Sequence, residues 1–153
     1  MKRVTLYLLG IIVFIGCSNT NKRDENKIQT VNELNISIQS KLKNDILKNG
    51  DIDAYEKLSN YYMDFQIPEE LMFYSLVMAN DFNYPQANYD VYVNICLHYK
   101  RTGRISLGMS ELALMHLIKA SKLGHHQAIE EVKEYNINKA SDPIATIKEL
   151  LIN

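Results

Sequence analysis

The sequence predicts an all-α fold built from helical hairpins. Three observations point to it. Apolar residues recur every three or four positions along most of the chain, and no alternating strand pattern of useful length appears. A segment of the chain repeats itself at an offset of 41 residues. Residues that accept a left-handed backbone, Gly50, Asn83 and Gly124, recur in one register of that repeat.

Taken from the start, residues 1–17 read MKRVTLYLLGIIVFIGC. Lys2 and Arg3 are followed by the uncharged run Val4 to Ile15, then by Gly16 and Cys17. Such a run is too short to span a bilayer as a helix, and its order of basic, apolar and small residues is that of a leader. Residues 18–27, SNTNKRDENK, hold no apolar side chain and suit a flexible tether. The expected organisation is a leader over 1–16, a Cys17-led tether over 17–27 and one helical domain over 28–153.

The first helix is expected over about 28–48, where Val31, Leu34, Ile38, Leu42 and Ile46 form one stripe. Further helices are expected at about 52–65, 69–81, 86–101, 109–122 and 126–135. A last one, about 143–152, opens after Ser141 and Asp142 with Pro143 in its first turn. The first and last helices are read as caps on the array.

The repeat pairs ANDFNYPQA at 79–87 with ASKLGHHQA at 120–128. Ala79 falls on Ala120, Asn83 on Gly124, Gln86 on Gln127 and Ala87 on Ala128. Gly50 and Ala54 repeat the spacing upstream. A residue tolerant of positive φ ends one helix, and an Ala four residues later lies inside the next, where a small side chain lets a neighbour approach closely. His125 and His126 therefore read as the opening of a helix. Adjacent positions on a helix point about 100° apart, so the pair is not read as a metal site. His98 and His116, each in an apolar stretch, read as hydrogen-bonded core or groove histidines.

These residues resemble the Sel1-like relatives of the tetratricopeptide repeat. One unit shows Ala54, Leu58, Tyr62, Pro68, Ala79 and Asn83. A second shows Ala87, Val91, Ile95, Tyr99, the loop from Gly103 to Gly108, then Ala113, Ala120 and Gly124. A third opens with Ala128 and Val132 and breaks off near Tyr135. Ser59 and Tyr92 stand where the family has Gly, and the first unit lacks loop glycines. The resemblance, over roughly 50–135, implies a short right-handed α-α solenoid and a role in protein binding. FIGC at 14–17 likewise resembles the lipobox of bacterial lipoproteins, with Phe14 where Leu is usual. That resemblance implies lipid on Cys17, a new N-terminus there and a membrane anchor; Asn19, in place of Asp, implies the outer membrane.

Composition excludes some partners. The 17 basic and 18 acidic residues nearly cancel, and losing Lys2 and Arg3 tips the balance further towards acid, which gives no electrostatic case for nucleic acid. With Cys17 lipidated, Cys96 has no disulfide partner. The search for chemistry finds no phosphate loop, since Met109 follows GRISLG, and no G-x-S-x-G elbow. Cys96 and His98 are two apart on a helix and point in different directions. The acid pairs Glu69–Glu70 and Glu130–Glu131 are read as helix starts that favour the macrodipole. We expect no enzyme, no cofactor and no metal.

What remains is recognition. In the helix at 86–101, Ala87, Val91, Ile95 and His98 share one arc; Tyr89, Tyr92, Cys96 and Tyr99 share another. Either this helix is central core, or the tyrosines face a partner. On the second reading Tyr89, Tyr92 and Tyr99 line a concave face with Tyr55, and Lys100, Arg101 and Arg104 form its charged rim. The expected function is a lipid-anchored protein-interaction module of the cell envelope, an adaptor or assembly factor. The alternative is a periplasmic immunity protein that neutralises a secreted antibacterial toxin.

Overall fold

The structure is a computed structural model that describes residues 36–65, 67–137 and 142–152. The leader, Cys17, the tether and the first part of the expected 28–48 helix lie outside them. Among the described residues there are seven helices and no strand: α1 (Ile36–Asn49), α2 (Ile52–Asp64), α3 (Glu69–Asn80), α4 (Pro85–Thr102), α5 (Leu107–Lys122), α6 (His126–Glu134) and α7 (Pro143–Ile152). The fold is all-α. None of these helices is long and apolar enough to cross a membrane.

The punctuation is where the sequence places it. Gly50, Asn83 and Gly124 all have positive φ, at 60°, 51° and 93°. Each is followed by the N-cap of the next helix: Asp51 before α2, Tyr84 before α4 and His125 before α6. Gly50 is also constrained by space, because a Cβ there would come within 2.2 Å of the Phe82 ring. The turn before α2 thus rests on the turn before α4. Gly103 ends α4 in the same left-handed conformation, at φ 65°. The start of α5 differs from expectation by two residues. Ser106, not Gly108, is the boundary, because its side chain accepts the Met109 N–H at 3.2 Å. Asp142 opens α7 by accepting the N–H groups of Ile144 and Ala145, both at 3.0 Å.

Each helix from α1 to α5 packs on the next in the chain, and α1 also reaches α3. The alanines of the repeat lie in the interior. Ala79, Ala87, Ala120 and Ala128 are all fully buried, and Ala54 nearly so. The central helix is α4, packed between α3 and α5. Its two arcs are both interior: Val91 and Ile95 on one, Tyr92 and Cys96 on the other. The α7 helix lies on α5 and touches α4, with Ile147 fully buried.

Two ties cross between hairpins. Lys119 on α5 reaches back to donate to the Ala79 carbonyl at the end of α3, 2.6 Å away. His116, also on α5 and fully buried, meets Asn88 of α4 through Nδ1 at 2.9 Å. Asn88 Nδ2 donates to the Tyr84 carbonyl, so Asn88 Oδ1 must accept, and the His116 proton sits on Nδ1. Nε2 of His116 is buried and has no hydrogen-bond partner among the described residues. His116 is a core histidine, one of the two roles its apolar surroundings predict.

Candidate functional site

The three N-caps carry more than helix starts. Asp51 accepts the Ala54 N–H at 3.0 Å, an ordinary acidic cap. Tyr84 makes no side-chain cap; Pro85 in the first turn spares one N–H. The Tyr84 ring instead meets Tyr55 edge-on at 5.7 Å, and its hydroxyl donates to Glu56 Oε1 at 2.7 Å. His125 caps α6 through Nδ1, which accepts the Ala128 N–H at 3.3 Å. Its ring stacks on Tyr89 at 4.3 Å.

Because Nδ1 of His125 accepts, Nε2 carries the proton, and it donates to Gln86 Oε1 at 2.9 Å. Gln86 Nε2 in turn donates to Asp90 Oδ1 at 2.8 Å. From the other side the Tyr55 hydroxyl donates to Asp90 Oδ2 at 2.6 Å. The Tyr55 oxygen lies 2.8 Å from Ser75 Oγ, and with the Tyr55 proton on Asp90 the Ser75 proton is shared between that oxygen and the Leu71 carbonyl, 3.2 Å away. Two chains of donors, one from α6 and one from α3, therefore converge on one carboxylate. Asp90 is only 4% exposed. Burial pushes its pKa above the usual carboxylate value, and bonds from Tyr55, Gln86 and Ser59 pull it back down. All donors point inward, which is the arrangement an ionised Asp90 requires.

A cleft of about 320 Å³ opens between α2 and α4, and two of the residues in its wall are ones that bond to Asp90. Tyr55, Glu56, Ser59, Asn60 and Gln86 line it. Two of these, Tyr55 and Gln86, are locked from behind by Asp90. The cleft wall is thus polar and held in place before anything binds.

The tyrosines of the sequence do not form one exposed face. Tyr55 is fully buried and Tyr92 is 5% exposed, so both belong to the interior, and the expectation that they project as partner anchors is corrected. Burial, then the charge of Asp90, raises the Tyr55 pKa and keeps the phenol protonated. Tyr89 and Tyr99 are half-buried. Tyr89 donates to Glu131 Oε1 on α6 at 2.7 Å, so Glu131 is an inter-helix acceptor inside α6 rather than a charge at its start. Lys100, Arg101 and Arg104 are exposed, at the far end of α4. Asp90 and Arg101 are separated by about 16 Å of helix axis at 1.5 Å per residue. Arg101 pairs with Glu69 of α3. The basic rim and the tyrosine at the cleft are therefore not brought together.

Cys96 is buried, and that burial pushes its thiol up to about 12, so it is protonated at neutral pH. Among the described residues, no group of three or more His, Cys, Asp or Glu side chains is placed to hold a metal ion. The residues that sequence reasoning missed are Gln86, Asp90, Ser59, Asn60 and Glu131. A signal was present: Gln86, Asp90 and Asn94 recur at four-residue spacing along α4.

The cap on α6 has a pH dependence. Burial lowers the His125 pKa, with Asp90 and Glu131 opposing, and burial also lowers that of His116. The folded state thus disfavours the charged imidazoles. Their contribution to stability is complete above about pH 6.5, the unfolded value, and is lost as pH falls through it towards the lower folded values. A lost cap costs about 1 kcal/mol. The melting temperature should fall by about 2–8 °C between pH 7.5 and 5.5. His125→Asn, a cap that does not titrate, should flatten part of that slope. A melting temperature constant over this range would show that neither imidazole resists protonation.

Compared with protein families, curated proteins and solved structures, the chain matches no family model, no curated protein and no solved structure.

Proposed function

We propose that this protein is a lipid-anchored binding module of the bacterial cell envelope, an adaptor or assembly factor that holds a protein partner. In this reading the hairpins stack as a short right-handed Sel1-like solenoid with capping helices at both ends, and lipid on Cys17 tethers it to the outer membrane. The observation that carries the binding role is the preformed polar cleft between α2 and α4, whose wall is fixed by hydrogen bonds to the buried Asp90. A wall fixed in advance loses little side-chain entropy when a partner arrives.

The partner is tested by placing a photo-crosslinking residue at Asn60 and irradiating cells. One specific crosslinked protein, absent when the probe is moved to exposed Lys122 on α5, supports the module. No adduct at Asn60 above that at Lys122 would overturn it. A co-secreted toxin as the adduct would assign the immunity role, and an envelope-assembly component the adaptor role.

The anchor is tested separately. Cys17→Ala should abolish labelling by a fatty-acid analogue and move the protein from the membrane to the soluble fraction. Lipid chains contribute about 0.8 kcal/mol per buried CH₂, so losing them removes the attachment outright. Equal membrane retention of variant and wild type would rule the lipid anchor out.

A further inference from the structure

Asp90 is a buried carboxylate, and among the described residues the side chains that hydrogen-bond to it, Tyr55 and Gln86, are both neutral. His125, one step away through Gln86, is neutral as well, because its Nδ1 is committed to the Ala128 N–H. A charge taken out of water without a counter-ion is costly, and a cation brought near it regains part of that cost. The cleft that has Tyr55 and Gln86 in its wall carries a carboxylate of its own, Glu56, with one oxygen held by Tyr84; Asp90 lies behind those two side chains. Ser59 and Asn60 add a hydroxyl and an amide. Among the described residues no Lys or Arg lines it; Lys57, next to Glu56 in sequence, is exposed outside it.

Resting on the binding role proposed above, we propose that this cleft receives one organic cation, the guanidinium or ammonium head of an arginine or lysine side chain on the protein partner. Charge excludes an anion, and the polar wall disfavours an apolar anchor. A volume of about 320 Å³ takes a single side-chain head with part of its stem. The head would meet the Glu56 carboxylate and the Ser59 and Asn60 oxygens, with the field of Asp90 behind them.

The probe is ethylguanidinium, with N-ethylurea as its neutral isostere and ethylammonium as the lysine mimic. The isotope-labelled full chain in detergent micelles is titrated with each, and the amide resonances of Ser59, Asn60 and Gln86 are followed. Saturable shifts are expected with ethylguanidinium or ethylammonium at millimolar concentrations, and none with N-ethylurea. Whichever cation binds more tightly identifies the side chain. Glu56→Gln, a change at an exposed position, should weaken the response about tenfold. Equal shifts from the urea, no saturable shift from either cation, or undiminished binding by Glu56→Gln would each overturn the proposal. A crosslinked partner without a cation response would leave the binding module standing and remove only the cation. A cation response without a crosslinked partner would do the reverse.

Discussion

Tyr55→Ala is expected to destabilise the protein by about 3–5 kcal/mol, the range for deleting a fully buried aromatic side chain. Two effects add. The ring is completely buried and packs edge-on against Tyr84, so its removal leaves a cavity between α2 and α4. The hydroxyl is also one of the donors that hold Asp90, so its removal leaves a buried carboxylate short of a partner. Tyr55→Phe separates the two. It keeps the ring and should cost about 1–3 kcal/mol, the cost of stranding a buried acceptor. Urea denaturation of both variants checks the order. A Tyr55→Phe variant as stable as wild type would show that the hydrogen bond to Asp90 carries no weight.

Ala120→Leu is expected to cost about 1–3 kcal/mol, the strain of forcing methylenes into a packed interior. Ala120 is fully buried near the end of α5, and its carbonyl accepts the His125 N–H that starts the next turn, at 3.0 Å. A larger side chain there must push either a neighbouring helix or that turn. Ser121→Leu places the same bulk one residue on, at a half-exposed position, and should be near neutral. Equal melting temperatures for the two variants would show that the alanine register is not where helices meet most closely.

The helices were legible because their punctuation is local. Positive φ at Gly50, Asn83 and Gly124, the cap at Asp142 and Pro143 in the last first turn depend on a few adjacent residues. The boundary before α5 was missed because a glycine was weighed above Ser106, and the side-chain cap decided it. The binding face was misread for a different reason. Tyrosine is both a good anchor and a good core residue, and periodicity reports which side chains share an arc, not what lies opposite. What buries Tyr55 is Ser75 and Asp90, which are 20 and 35 residues away. The polar positions of α4 give no signal of burial by residue type, because Asp and Gln on a helix are mostly exposed. Only the packing of α4 between two helices turns them inward.

The packing order of the helices also bears on how the chain acquires its structure. Because each helix from α1 to α5 rests on its successor, most partners are close in sequence, and little loop entropy must be lost before contacts form. Domains of this kind fold in microseconds to milliseconds. The longest ties run from Lys119 to Ala79, His125 to Gln86 and Tyr89 to Glu131, whose partners stand 40, 39 and 42 residues apart. These bonds can close only after α5 and α6 have docked, whereas the Tyr55–Asp90 bond needs only α2 and α4. A chain made from its N-terminus would therefore fix the Tyr55 side of the cleft first and the Gln86 side only once α6 is in place.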